Sequence, residues 1–243
     1  MAKKKRKKRP APKPGPQPER QQSSRAERKE QARIERERRI KAIRRKRLLK
    51  RLGIAALVLA IVGGGVFFFW NRSQQAKERR ERANEIAAAI GCQPVDEDVQ
   101  DEGAGHVTEI PTYQSVPATS GPHFAQTLPG DVSVYDQPAD PVFEARAVHN
   151  LEHGYVVMYY RSEGDDALTG DAVSALEELA ESEEEVIIAP YPNLPEGENL
   201  TFVAWTNIQR CNAEGEADDV VTVAEAFIRD FKNSGDAPEA GVS

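Results

Sequence analysis

The four histidines of the chain, His106, His123, His149 and His153, fall between residues 106 and 153 of 243. Two share the stretch HNLEH, where four-residue spacing puts His149 and His153 on one side of a helical turn, within reach of one ion. A third lies in SGPH, Ser120 to His123, where Gly-Pro presets a tight turn that holds the imidazole in place. If the motifs face each other, three or four imidazoles converge. Such donors suit zinc, copper or nickel, and three His ligands leave a position open for water or substrate. Glu152 then orients an imidazole or acts as base for a metal-bound water.

Other chemistries fit less well. HNLEH matches the inverted zinc-protease pattern H-x-x-E-H, but Gly154 and a β-prone run follow at once, leaving only AVHNLEH for a helix. No downstream glutamate ligand stands out among the many carboxylates. A hydrolase built from Ser120 or Ser115, a histidine and Asp131 lacks a G-x-S-x-G elbow. Met158 is a candidate soft axial ligand, although a Met in a β run is more often core filling. No D-x-[DN]-x-[DN]-G loop marks the acidic stretches as calcium sites, which leaves them as a solvated face. The alternative without metal has His149 bonded to backbone in a turn and Glu152 orienting His153. In that reading the motifs shape a binding surface on a non-enzymatic cell-envelope module.

The elements that must position these residues follow a turn-rich stretch. Gly103 to Glu144 is rich in Gly, Pro, Thr and Ser, with short strand candidates such as HVTEI and no helical period. Beyond it YVVMYYR, EVIIAPYP and LTFVAWTNI read as strands, the second stopped by Pro190 and Pro192. DAVSALEELAES and DDVVTVAEAFIRDFKN have helical apolar faces, with Val220, Val223, Phe227 and Phe231 near one stripe of the second. The expected fold is α+β, a small mixed or antiparallel sheet with two helices. One transmembrane helix and a disordered or helical basic tail precede it.

Charge divides the chain. Residues 1–51 hold 23 Lys and Arg against 5 Glu, whereas residues 83–243 hold 5 basic against 32 acidic side chains. Between them Leu52 to Trp70 is 19 residues without a charge, about enough to span a hydrocarbon core, with Trp70 placed as an interfacial anchor. The 51 preceding residues and the lack of a small-residue cleavage site at FFFWNR argue against a signal peptide. KAIRRKRLLKR on the N-terminal flank keeps that side cytoplasmic, so the acidic domain lies outside the cell membrane. The expected organisation is a basic cytoplasmic tail at 1–51, the span at 52–70, a helical stalk at 71–91, the extracytoplasmic domain at 92–235 and a disordered C-terminus at 236–243.

Five prolines between Pro10 and Pro18 favour an extended, disordered start, and Gln21 to Arg51 is rich in helix formers with paired charges such as Glu35 and Arg39. Anionic lipid is the nearest partner for the basic tail. Nucleic acid is the weaker reading, because KKKRKK is a common pattern and the acidic domain repels phosphate. No protein partner is indicated. Cys92 and Cys211, the only cysteines, form an even pair on the non-cytoplasmic side and suggest a disulfide closing a loop of about 120 residues. Free or metal-bound thiols are the alternative, without a CxxC spacing to support it.

With TSGPH followed by HNLEHG and a β run, the sequence resembles the bacterial family called domain of unknown function 3105, over roughly residues 105–205. The resemblance implies one N-terminal span and an extracytoplasmic domain, and it implies no activity. His123, His149, His153 and Glu152 match the family's motif positions, and His106 is aligned with them. Where the family pattern commonly reads PPTSGPHW, this chain has VPATSGPHF. Ala118 and Phe124 are departures, and Phe124 keeps a flat apolar group beside the turn.

Overall fold

A computed structural model describes residues 25–241. The disorder expected for the proline-rich start of the tail falls on residues 1–24 and lies outside the described residues, as do residues 242 and 243. The chain forms two compact units, residues up to Trp70 and those from Asn71.

Helix α1, Arg25–Ala89, runs without a break through the charged segment, the apolar run and the segment after it. Strong helix formers dominate its charged parts, and exposed i,i+4 pairs join Arg33 to Glu37 at 3.6 Å and Arg39 to Glu35 at 4.0 Å. Its central part is long and apolar enough to cross a membrane by length and composition, and its large apolar side chains from Leu52 to Trp70 are exposed. The helix stops where Gly91 turns to φ +87°, a conformation that L side chains rarely adopt. A Cβ there would also collide with the Asn212 carbonyl.

The second unit is built on a mixed sheet in the order β4-β3-β5-β6, with β3 Val156–Tyr160, β4 Val186–Pro190, β5 Leu200–Ala204 and β6 Asn207–Cys211. β3 pairs parallel with β4 through a crossover that contains α3, Gly170–Ser182, and antiparallel with β5. Both faces are covered, so β3, β4 and β5 are buried at every position and read as continuous apolar runs instead of alternating ones. Val156, Met158 and Tyr160 face a core with α3 and α4, Ala217–Phe231. Val157 and Tyr159 face a second core under α2, Pro141–Glu152, together with Ile187, Val203 and Trp205. Phe227 is buried, stacked on Phe202 and tilted against Phe231 with centroids at 5.6 and 4.7 Å, a burial worth about 1.5–3 kcal/mol.

Loop segments close both sheet edges, which would otherwise present unpaired backbone groups. Residues 92–96 lie along β6, where Gln93 N–H donates to Arg210 O at 2.8 Å and Asp96 N–H to Ile208 O at 2.8 Å. The Cys92 and Cys211 sulfurs are joined at 2.04 Å beside them. Residues 133–139 run along β4, with Tyr135 N–H donating to Ile188 O and Ala139 N–H to Pro190 O.

Four expectations change. A third helix, α2, begins inside the stretch expected to be irregular: Asp140 caps it by accepting from Phe143 N–H at 2.7 Å, and Pro141 occupies the first turn. LTFVAWTNI is a tight hairpin instead of one strand, because Thr206 adopts φ +56° and Asn207 Nδ2 donates to Trp205 O. The compact domain starts before residue 92, since Ala87 in the last turn of α1 and Ile90 just after it belong to its first core. The C-terminal residues 236–241 are not a loose end, for Ala237 is buried in the second core and Glu239 N–H donates to Glu152 O at 3.0 Å.

Candidate functional site

A two-residue parallel pairing organises the site. β1, His106–Val107, lies in register with β2, His123–Phe124, so His106 and His123 are direct partners with ring centroids 5.1 Å apart. His123 N–H donates to Gly105 O at 3.0 Å. Parallel register puts both side chains on one face, which sequence spacing alone does not reveal.

The SGPH turn fixes His123. Gly121 adopts φ +125°, and the Tyr113 ring lies 3.0 Å from where a Cβ would stand. Tyr113 OH donates to Pro122 O at 2.8 Å, locking the ring over the turn. The Gly121 carbonyl is 2.9 Å from His123 Nδ1. A carbonyl only accepts, so Nδ1 carries a proton, and in the neutral ring Nε2 presents a lone pair.

His149 and Glu152 come from the last turn of α2. His149 Nδ1 lies 2.8 Å from Phe124 O, which by the same reasoning leaves its Nε2 as a lone pair. β2 thus supplies one imidazole through its first residue and orients a second through the carbonyl of the next. Burial holds the His149 pKa below the usual imidazole value despite the opposing Phe124 hydrogen bond, and the neighbouring histidines add to the lowering. The neutral ring is the form that ligates a metal. After His153 the chain turns at Gly154, φ +94°, where a Cβ would collide with Asn233.

One candidate ligand atom from each of His106, His123, His149 and Glu152 lies within 4.8 Å of the other three. Ring centroids of His106 and His149 are 4.9 Å apart and those of His123 and His149 are 4.7 Å apart. His123, His149 and Glu152 are buried at 0, 7 and 5% exposure, whereas His106 is exposed. Glu152 Oε2 lies 3.0 Å from His123 Nε2, yet Nε2 has no hydrogen-bond partner. In the neutral ring, with Nδ1 as the donor, two electron-rich atoms face each other at contact distance, an arrangement that a shared cation satisfies. The carbonyl end of the α2 dipole favours a cation at the same place.

His153 stands beside this group. Its ring stacks on His149 with centroids 4.9 Å apart, and its Nδ1 is 3.8 Å from Glu239 Oε2. Glu152, expected to act behind the imidazoles, has its carboxylate among the ring nitrogens. Met158 belongs to the opposite core, away from α2. The carbonyls of Gly121 and Phe124 carry no sequence signal, because any residue supplies one. The full length of α2 was signalled by Asp140-Pro141, a cap followed by a first-turn proline.

Fold and site together define an α+β domain with a cluster of three histidines and a glutamate, following one long apolar helix. Residues 106–243, more than half of the chain, match the family described as Protein of unknown function (DUF3105), and the chain belongs to that family. The match extends past Trp205 through β6 and α4. Comparison with curated proteins and with solved structures gives no match.

Proposed function

We propose that this is a membrane-anchored extracytoplasmic domain that binds one transition-metal ion through His106, His123, His149 and Glu152. The observation that carries the reading is the tautomer constraint. Two buried imidazoles donate through Nδ1 to backbone carbonyls, which in the neutral rings leaves the Nε2 atoms as ligands beside a buried carboxylate. Carbonyl-anchored imidazoles of this kind are what metal-ligating histidines commonly show.

Three nitrogens and one oxygen suit zinc or copper(II) among first-row ions, with no soft sulfur donor to favour copper(I). Tetrahedral zinc with bonds near 2.0–2.1 Å would space its ligand atoms about 3.4 Å apart, against separations of up to 4.8 Å among these four groups. The exposed side at His106 is where water or an exogenous ligand reaches the ion. His153, stacked on His149 and facing Glu239, supports the ring from outside the coordination sphere.

The apolar stretch of α1 serves as a single-span anchor, with the basic segment on the cytoplasmic side against anionic lipid and the acidic domain outside. The charge asymmetry of the two ends supports this orientation. A cysteine pair joined in the domain is in keeping with an oxidising side of the membrane.

A second reading draws on the His123–Glu152 contact. If His123 is doubly protonated, the contact is a buried ion pair that shapes the TSGPH turn in a non-enzymatic envelope module. Metal content of the full chain, purified in detergent without a histidine tag, separates the two. About one equivalent in the parent and none in a folded His149→Ala variant supports the metal centre. Less than about a tenth of an equivalent after reloading with zinc and copper overturns it.

A further inference from the structure

The four ligand candidates are not equally held. His149 and Glu152 project from a helix packed on the sheet, and His123 is fully buried behind a turn closed by Tyr113. His106 alone is exposed, and it rides on a two-residue strand whose surrounding residues 103–106 are exposed as well. Resting on the metal-site reading, we infer that His106 is the exchangeable ligand: the ion enters and leaves past β1, which closes over a preformed half-site of His123, His149 and Glu152.

The tethers of the β1 segment are few and polar. Glu102 N–H donates to Ser120 Oγ at 3.0 Å, the Glu102 carboxylate accepts from Gln114 N–H at 3.0 Å, and His123 N–H donates to Gly105 O at 3.0 Å. No residue from 100 to 110 belongs to either hydrophobic core. Opening this segment therefore breaks hydrogen bonds that water replaces and exposes little apolar surface, so it is the inexpensive motion at the site. Moving α2 would pull Ala147, Val148 and Leu151 out of the second core, and β2 is held between two members of that core, Ala118 and Leu128. The half-site keeps three donors, enough to retain an ion while the fourth is away.

The test uses the full chain in detergent, loaded with Co2+ and then mixed with excess EDTA while the cobalt absorption is followed. The parent, His106→Ala, His149→Ala and Glu102→Ala are compared, with circular dichroism as the check on folding. Expected are uptake of about one Co2+ by the parent and by His106→Ala, release at least about tenfold faster from His106→Ala, and no uptake by His149→Ala. Glu102→Ala leaves every ligand in place and removes one tether, so it should show the parent's cobalt spectrum with faster release. Release at the parent's rate from either variant, or loss of uptake by a folded His106→Ala, overturns the inference. Absence of uptake by the parent overturns the metal-site reading itself.

Discussion

His123 Nε2 and Glu152 Oε2 meet at 3.0 Å inside the domain, while the imidazole's Nδ1 donates the other way, to the Gly121 carbonyl. One residue comes from a rigid turn and the other from the end of α2, so the contact ties together two elements separated by 29 positions of sequence.

Replacing the carboxylate by an amide tests what sits between them. In Glu152→Gln the amide N–H can donate to the His123 lone pair, so without metal the melting midpoint should hold or rise. The gain in midpoint on adding zinc should shrink, because an anionic ligand is lost; in the parent, zinc at about a hundred times Kd is worth about 2.7 kcal/mol. If the pair is instead an imidazolium and a carboxylate, the same substitution strands a buried charge. It should then cost about 3–5 kcal/mol with no response to zinc. Thermal melts of both proteins with and without zinc decide.

The glycines flanking the motifs are not equivalent. Gly121 at φ +125° lies under the Tyr113 ring, and Gly154 at φ +94° lies against Asn233, whereas Gly105 has open space around it. Gly121→Ala and Gly154→Ala should each destabilise by about 1–3 kcal/mol through backbone strain and collision. Gly105→Ala, in the same neighbourhood, should change stability by less than about 0.5 kcal/mol. Urea unfolding of the three variants checks the order.

What the sequence disclosed follows from the range of the interactions involved. The strands and the two amphipathic helices α3 and α4 announce themselves locally, through β-branched runs and apolar faces. The sheet order does not, because strands buried on both sides lose the alternation that would show which face meets which helix. Asp140-Pro141 was a readable helix start that the Pro-rich context obscured, and the Trp205-Thr206 hairpin lacks the Asn-Gly signature of tight turns. Clustering of the histidines pointed to a joint site. Their convergence rests on β1 pairing with β2 and on backbone carbonyls, and neither leaves a residue-type signature. Glu152 stood out by its place in HNLEH, but only its burial beside His123 puts its carboxylate among the ring nitrogens.

Glu144 gives a pH-dependent prediction. It is partly buried in the first turn of α2, where its Oε1 accepts from Ala118 N–H and Tyr191 OH, both at 2.9 Å. Burial outweighs these two hydrogen bonds and raises its pKa above the ordinary glutamate value. A carboxyl that binds its proton more tightly when folded disfavours the native state once ionised. The penalty is absent below the unfolded value of about 4.5 and grows as pH rises through the raised folded value. Glu144→Gln keeps an oxygen for both donors and removes the charge. Its stability relative to the parent should therefore improve between pH 4 and pH 7. Glu144→Ala instead leaves two donors without a partner and should cost about 1–3 kcal/mol at either pH. Denaturant midpoints at the two pH values measure both effects.

The C-terminal segment offers two contacts of different character to the end of α2, and they can be separated. The Glu239 side chain is half exposed, and its carboxylate is 3.8 Å from His153 Nδ1, so as a surface pair it is worth less than about 1 kcal/mol. The Glu239 backbone N–H donates to Glu152 O at 3.0 Å, Asp236 accepts from Asn207 Nδ2, and Ala237 fills a buried place in the second core. None of these depends on the Glu239 carboxylate. Glu239→Ala should accordingly leave the melting midpoint and metal affinity close to those of the parent. Ending the chain at Gly235 removes the buried alanine and frees the Glu152 carbonyl, which should cost about 1–3 kcal/mol. Because that carbonyl belongs to a proposed ligand, zinc affinity should fall by about tenfold in the truncated chain and not in Glu239→Ala. Equal zinc titrations for all three proteins would show that the segment stabilises the fold without positioning Glu152.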